Sequence, residues 1–260
     1  MRHSLLIFLL LALASAASAA HPVKIVFDTD MESDVDDVGA LAMLHSLADL
    51  GEAEILAVMI SSLNPWSAPT ADVVNTWFGR PDLPVGNKKT LGVYRNSVYA
   101  RPLIEAFPHD LPLGEAVPDA VPLYREILAG QPDNSVVIVT VGYLSNLAEL
   151  LESEPDRHSP LSGRELVERK VQRYVCMGGR YPAQLYPGKW GNFLPDPGAV
   201  RAVAANWPGE IIFTGGGDFA NSIPTGGRVM NALDDTDPVH FAYRVFFQKA
   251  GWAEGPTHHS

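Results

Sequence analysis

The segment KIVFDTDMESDVDDVGALAML, residues 24–44, runs from a strand-like sequence through a dense group of acidic residues into a helix-like sequence. The apolar, β-branched residues 23–27 are typical of a buried strand, and the apolar positions that follow Asp37 predict a helix. Five Asp residues and one Glu lie between Asp28 and Asp37. The segment therefore predicts an α/β unit with carboxylates at the carboxyl end of its strand.

The rest of the chain repeats this alternation of short strand-like runs and longer helix-like segments. Strands are predicted at residues 23–27, 55–61, 136–141, 171–177 and 210–213. Helices are predicted at residues 38–50, 70–78, 120–129, 145–152, 197–205 and 237–249. This order favours an open, mostly parallel, Rossmann-like sheet with helices on both faces and a ligand crevice at the carboxyl ends of its strands. Residues 81–122 are rich in Pro and Gly and are predicted to form a long excursion over the sheet.

Residues 1–20 have the pattern of a secretory signal peptide. A basic start at Arg2 is followed by an apolar run, residues 5–13, and by the small residues ASAASAA ending at Ala20. The apolar run is shorter than the roughly 20 residues that span a bilayer. We therefore expect cleavage, a secreted or periplasmic location, and a mature chain, residues 21–260, that forms one domain free of the membrane.

The net charge bears on the class of partner, and the cysteine content bears on disulfide bonding. The formal net charge is −11, and no cluster of Lys and Arg is visible, so a nucleic-acid partner is not expected. Cys176 is the only cysteine, which excludes an internal disulfide. It lies in the apolar stretch VQRYVCMGG and is predicted to be a buried thiol.

The acidic segment itself predicts a metal site. Clustered carboxylates repel one another at neutral pH, and a bound cation offsets that repulsion. Oxygen ligands of this kind suit Ca²⁺ or Mg²⁺ better than zinc. Helix capping is the alternative explanation for one or two of these Asp residues. An EF-hand loop does not fit, because Ser33 and Gly39 occupy the positions of its Gly and its terminal Glu.

The segment DTDMESDVDDVGALAML resembles the N-terminal signature of the inosine-uridine-preferring nucleoside hydrolase family, in a variant with extra residues between the DxD and DD pairs. Four further similar segments follow in the order found in the family: VIVTVGYLSNLAELLESEPD, VQRYVCMGG, NFLPDPGAV and DTDPVHFAY. Together they extend over nearly all of the mature chain.

The resemblance implies a catalytic Ca²⁺ bound by Asp30, Asp37, the backbone carbonyl of Val141 and Asp237. It further implies that Asp30 acts as the general base for a metal-activated water that attacks the anomeric carbon of a nucleoside or related N-riboside. Carboxylates around the sugar would stabilise the oxocarbenium-like state of this hydrolysis.

Three further residues match the ribose-binding positions of the family: Asp36, Asn64 and Asn192. Simpler explanations exist for the two Asn residues, since Asn64 precedes a Pro and is suited to a turn, and Asn192 is suited to bonding loop backbone. Asp237 is likewise suited to a helix N-cap.

The sequence departs from the family pattern at several positions. Trp190 replaces a Glu that contacts the sugar, and we consider it a residue that stacks on the substrate. Thr236 stands where the family has a His. His109, in the long excursion, is the candidate for protonating the leaving group, with a solvated loop His as the alternative. A homo-oligomer is possible.

Two other functions stay open at this point. The sequences FDTDMES and GGGDFANS resemble haloacid-dehalogenase-like phosphohydrolases, in which the first Asp is a nucleophile, although the DD pair has no role there. A non-catalytic, metal-dependent sugar- or nucleoside-binding protein is the other alternative, and the Trp190 replacement favours it.

Overall fold

A computed structural model of the chain describes residues 21–182, 188, 191–216, 222–223 and 232–249. Within these residues, six strands form one sheet in which every neighbouring pair is parallel. The strands are β1 (Val23–Thr29), β2 (Ala53–Ile60), β3 (Val85–Asn87), β4 (Val136–Thr140), β5 (Val171–Arg180) and β6 (Ile211–Gly216).

Helices connect the strands and cover both faces of the sheet. The α-helices in the described ranges are α1 (Asp36–Asp49), α2 (Ser67–Trp77), α3 (Ala100–Ala106), α4 (Ala120–Ala129), α5 (Ser145–Glu152), α6 (Gly163–Lys170), α7 (Pro197–Asn206) and α8 (Pro238–Lys249). Strand residues alternate between two hydrophobic cores: Phe27 and Val58 pack with α1, α2, α3 and α8, whereas Val26 and Ala57 pack with α4 to α7. The fold is therefore a three-layer α/β sandwich.

The strand order is β3-β2-β1-β4-β5-β6. The direction of winding changes between β1 and β4, where the chain crosses from one half of the sheet to the other. In open α/β sheets, the carboxyl ends of the two strands at such a switch point border the ligand crevice. The acidic segment follows β1 and Val141 follows β4, so both lie at this point.

The predicted fold class is confirmed, and the helices at 120–129 and 145–152 have the predicted bounds. The prediction for residues 81–122 was wrong in one respect, because this region contains β3 and α3 as well as loops. Cys176 is buried on β5, as predicted, and burial raises the pKa of its thiol.

Residues 1–20 lie outside the described part of the chain. No helix in the described part is long and apolar enough to cross a membrane.

Candidate metal and substrate site

The turn between β1 and α1, residues 30–35, is held in place through its backbone. Ser62 Oγ donates a 2.9 Å hydrogen bond to the carbonyl of Asp30, and Ser67 Oγ donates a 3.1 Å bond to the carbonyl of Met31. Met31 has a φ of 49°, in the left-handed region, which costs a residue with a side chain about 1–2 kcal/mol. The surrounding hydrogen bonds thus hold a strained turn that carries the acidic side chains.

Asp28, the last acidic residue within β1, is anchored to the helices on one face of the sheet. Its carboxylate is fully buried and accepts hydrogen bonds from Tyr124 Oη on α4 (2.8 Å) and from Asn146 Nδ2 on α5 (3.2 Å). Burial raises the pKa of Asp28 to about 7, and these two hydrogen bonds act in the opposite direction. With its partners supplied by the protein, Asp28 ties the end of β1 to α4 and α5.

Asp30 starts the turn, Asp37 lies in the first turn of α1, and both side chains are buried. Burial, and then the charge of Glu32, raises the pKa of Asp30 well above its ordinary value. Burial, and then the charge of Asp30, does the same to the pKa of Asp37, whose carboxylate also accepts a hydrogen bond from the Thr29 hydroxyl. The two predicted metal ligands are therefore close enough to repel each other.

Carboxylate oxygens of Asp34, Asp36 and Asp37 lie within 4.8 Å of one another. Among the described residues, these three side chains are the group whose spacing would let them share one ion. Asp30 and Asp237 are not members of this group. Burial, and then the Asp34 charge, raises the pKa of Asp36 to about 7.

The residues at the turn fit a divalent cation. They offer only oxygen ligands, which hard cations prefer. Burial and the neighbouring carboxylates raise the pKa values of Asp30, Asp36 and Asp37, and a bound cation would act in the opposite direction by favouring the ionised forms.

Glu32 lies in the same site, and the sequence analysis assigned it no individual role. Its buried carboxylate accepts the backbone N–H of Arg95 at 2.7 Å and 3.1 Å and the Tyr143 hydroxyl at 3.2 Å. Burial raises the pKa of Glu32 to about 7, whereas these hydrogen bonds and the charge of Arg95 lower it. The available signal was its position among the extra residues of the acidic segment.

Asn64 bonds backbone with both ends of its side chain. Its Nδ2 donates to the carbonyl of Arg95 at 3.0 Å, and its Oδ1 accepts the N–H of Trp66 at 3.0 Å. The simpler explanation, that Asn64 starts a turn, is therefore realised, and the same side chain also holds the loop at Arg95.

The turn after β4 packs directly against the acidic turn. A Cβ on Gly142 would lie 2.5 Å from the backbone nitrogen of Asp30, so only glycine allows this approach. The carbonyl of Val141, a predicted metal ligand, accepts a hydrogen bond from Asn192 Nδ2. The predicted ribose-binding Asn192 thus lies at the same edge of the sheet as Val141.

Asp237 caps the last helix. Its carboxylate accepts the N–H groups of Val239 at 2.8 Å and His240 at 3.0 Å, as the capping alternative expected. Helix α8 lies against α1, where the hydroxyl of Tyr243 contacts Gly39. The helix that Asp237 caps therefore packs against α1, and its contact at Gly39 is within one helical turn of Asp36 and Asp37.

His109 and Trp190 are not placed in the site by the structure. The Nδ1 of His109 lies 3.0 Å from the carbonyl of Leu111, in a loop that Asp72 holds by accepting the N–H groups of Asp110 and Leu111. Trp190 lies outside the described residues.

Solved structures similar to this fold include several nucleoside hydrolases. The inosine-uridine preferring nucleoside hydrolase from Bacillus anthracis has a TM-score of 0.64 and 19% identity over 86% of this chain and 76% of that chain. The plant nucleoside hydrolase PpNRh1 has a TM-score of 0.63 and 20% identity over 91% of this chain and 75% of that chain. The type III effector XopQ, complexed with adenosine diphosphate ribose, has a TM-score of 0.65 and 19% identity over 89% of this chain and 66% of that chain.

At these identities the structural likeness shows the fold alone. No curated protein matches the sequence. The model of the family described as inosine-uridine preferring nucleoside hydrolase matches residues 25–221, which is most of the chain and includes the acidic segment and the segments after β4 and β5. This match argues against the phosphohydrolase alternative. The chain therefore belongs to the inosine-uridine preferring nucleoside hydrolase family, hydrolases that act on N-glycosyl bonds.

Proposed function

We propose that this protein hydrolyses the N-glycosidic bond of a nucleoside or related N-riboside in a Ca²⁺-dependent reaction. The observation that carries the proposal is the buried carboxylate group at the switch point of the sheet, in a chain that belongs to this hydrolase family. Family membership supports the identity of the bond that is broken. The oxygen-only ligands support a hard divalent cation, and the choice of calcium over magnesium rests on the resemblance of the acidic segment to the family signature.

Asp30, Asp37, the Val141 carbonyl and Asp237 are the residues proposed to hold the cation. Gly142 supports this set, because it allows the Val141 turn to pack on the backbone of Asp30. When bound, the cation supplies positive charge that keeps the carboxylates ionised and lowers the pKa of a nearby water.

The acidic residues also have roles toward the substrate. Asp30, buried beside Glu32, is proposed to take the proton from the attacking water at its carboxylate oxygen. Asp36 is half-buried at the start of α1, where its negative charge would stabilise the positive charge that develops on the sugar.

Asn192 is proposed to bind the ribose, since its amide already reaches the site edge at Val141. Asn64 would contribute by holding the loop at Arg95. Trp190 is proposed to stack on the substrate and His109 to protonate the leaving base. The XopQ complex with adenosine diphosphate ribose favours testing ribosides beyond simple nucleosides.

We also propose that the protein is exported through residues 1–20 and acts as a secreted or periplasmic enzyme. Mass spectrometry of the mature N-terminus checks this, and we expect a chain that begins near His21. A chain from an export-competent host that retains Met1 would contradict it.

The main test is release of ribose from a panel of purine and pyrimidine nucleosides, with calcium binding followed by calorimetry. We expect activity that EDTA abolishes and Ca²⁺ restores. Asp37→Ala should lose calcium binding and activity together, whereas Asp82→Ala, which removes an exposed carboxylate from a loop, should keep both. A fully active Asp37→Ala protein would contradict the site.

Two variants separate the candidate ligand sets. If Asp30 is a ligand, Asp30→Asn should weaken calcium binding much more than Asp34→Asn. The reverse result would favour the group formed by Asp34, Asp36 and Asp37. Calcium-dependent binding of a nucleoside without release of ribose would instead establish the non-catalytic alternative.

A further inference from the structure

Arg95 is held at the edge of the site by its backbone alone. Its N–H donates to both oxygens of the Glu32 carboxylate, at 2.7 Å and 3.1 Å, and its carbonyl accepts from Asn64 Nδ2 at 3.0 Å. Glu32 and Asn64 are both fully buried. Two buried polar side chains are thus used to fix one loop residue whose side chain is exposed.

The guanidinium of Arg95 forms no hydrogen bond or ion pair among the residues that the structure describes, whereas those of Arg80, Arg125 and Arg244 form ion pairs. Exposed Arg164 and Arg201 also form no ion pair with a described residue, so the fixed backbone is what distinguishes Arg95. The charge of Arg95 lowers the pKa of Glu32, but the Glu32 carboxylate bonds the Arg95 N–H and the Tyr143 hydroxyl and forms no ion pair with the guanidinium. All five N–H donors of the Arg95 side chain therefore stay available.

We propose that Arg95 determines specificity by binding a phosphate group carried by the ribosyl substrate. This inference rests on the proposed function, because it places a phosphorylated riboside in the same site. A guanidinium presents a planar set of donors that matches phosphate oxygens. A backbone that is already fixed reduces the entropy lost in ordering the loop when a ligand binds. A neutral nucleoside carries no anionic group that could pair with the Arg95 guanidinium.

The location agrees with a role at the substrate. The loop at Arg95 follows β3, so it lies at the same edge of the parallel sheet as the acidic turn after β1 and the Val141 turn after β4. Tyr143 connects these parts, because its hydroxyl donates to Glu32 and its N–H donates to Ser61 Oγ. A phosphate on Arg95 would lie beside a sugar held by the carboxylates.

The test compares binding of ribose 5-phosphate, ribose and inorganic phosphate by calorimetry in the calcium-loaded protein. We expect ribose 5-phosphate to bind more tightly than either of the others. Arg95→Ala should weaken ribose 5-phosphate binding about 10-fold or more and leave ribose binding within about 2-fold. Arg95→Lys should restore part of the loss, because it returns the charge without the planar donors.

Arg169→Ala is the matched control. It removes the same charge from an exposed residue whose backbone carbonyl bonds Asn134, near the amino ends of the strands and so at the opposite edge of the sheet. Its affinities should equal those of the unaltered protein. Equal losses for ribose and ribose 5-phosphate in Arg95→Ala, or none, would overturn the proposal, as would equal binding of inorganic phosphate and ribose 5-phosphate.

Hydrolysis of AMP and adenosine separates failure of this inference from failure of the proposed function. Arg95→Ala should lower kcat/KM for AMP relative to adenosine by about 10-fold or more. Arg95-dependent binding of ribose 5-phosphate in a protein that hydrolyses the N-glycosidic bond of neither compound, nor of any nucleoside of the purine and pyrimidine panel, would support the phosphate site and contradict the hydrolase proposal. Cleavage of both compounds with an unchanged ratio in Arg95→Ala would do the opposite.

Discussion

Tyr124 on α4 donates a 2.8 Å hydrogen bond to the carboxylate of Asp28, and both side chains are fully buried. Removing the donor leaves a buried carboxylate with one partner fewer. Tyr124→Phe should therefore lower the free energy of unfolding by about 1–3 kcal/mol at pH 8, where Asp28 is mostly ionised. Urea denaturation measures this, with Tyr94→Phe, at an exposed Tyr, as the control. Equal changes in the two variants would contradict the role of this bond.

The buried carboxylates in and beside the turn predict that the stability of the metal-free protein falls as the pH rises. Burial raises the pKa values of Asp28, Glu32 and Asp36 to about 7, above their ordinary values, so the folded state binds more protons than the unfolded state. The resulting stability is complete below a pH of about 4 and is lost as the pH rises through about 7. Asp156, whose pKa the Arg125 hydrogen bond lowers to about 2, titrates below this window.

Thermal denaturation after EDTA treatment checks this pH dependence. We expect a lower Tm at pH 8 than at pH 5. Excess Ca²⁺ should raise the Tm more at pH 8 than at pH 5, because the cation favours ionised carboxylates. A Tm that rises with pH in EDTA would contradict the prediction, because it would mean that burial does not raise the pKa values of these carboxylates in the folded state.

Gly142 is predicted to be intolerant of any side chain. The Cβ of Gly142→Ala would lie 2.5 Å from both the nitrogen of Asp30 and Oγ of Ser61, so the Val141 turn must move away. We expect a loss of about 3 kcal/mol in stability and weaker calcium binding. Gly130→Ala is the control, since its Cβ would meet its nearest neighbour at 3.6 Å. Calcium affinity equal to that of the unaltered protein in Gly142→Ala would contradict the packing.

The contact between Gly39 and Tyr243 predicts a pair of compensating substitutions. Gly39→Ala places a Cβ against the hydroxyl of Tyr243, which should push α8 away from α1 and cost about 1–3 kcal/mol. Tyr243→Phe removes the hydroxyl and should restore most of the stability in the double variant. A double-mutant cycle of urea denaturation measures the coupling, and additive losses would contradict this contact.

The sequence predicted the strands and helices that have a clear period. The acidic residues at the end of β1 and the helix after them were found because apolar runs on either side define both elements. Strand β3 was missed because three residues, VGN, are too short to show alternation. Helix α6 was missed because its sequence, GRELVERK, is mostly polar and buries little more than Leu166 and Val167.

The parts of the site that join distant segments were not predictable from one sequence. Asp30 and Asp37 were identified because they lie in one short acidic segment that resembles the family signature. The contacts of Glu32 with Arg95 and Tyr143 join positions 63 and 111 residues apart, and no local pattern records such a pairing. Asn64 was found, but its bond to the Arg95 carbonyl depends on where the loop after β3 lies.

Apart from the contacts of the Glu32 side chain, the turn at residues 30–35 is attached to its neighbours at main-chain atoms, through Ser62 at Asp30 and Ser67 at Met31. Neither serine depends on which side chains the turn carries, and the flanking elements are secured separately, β1 by its sheet partners and α1 by its apolar face. We therefore expect the side chains of this turn to be exchangeable without loss of the scaffold, as long as the two main-chain attachments are kept. In divergent evolution or in laboratory grafting, ligand preference can change here while the scaffold continues to fold.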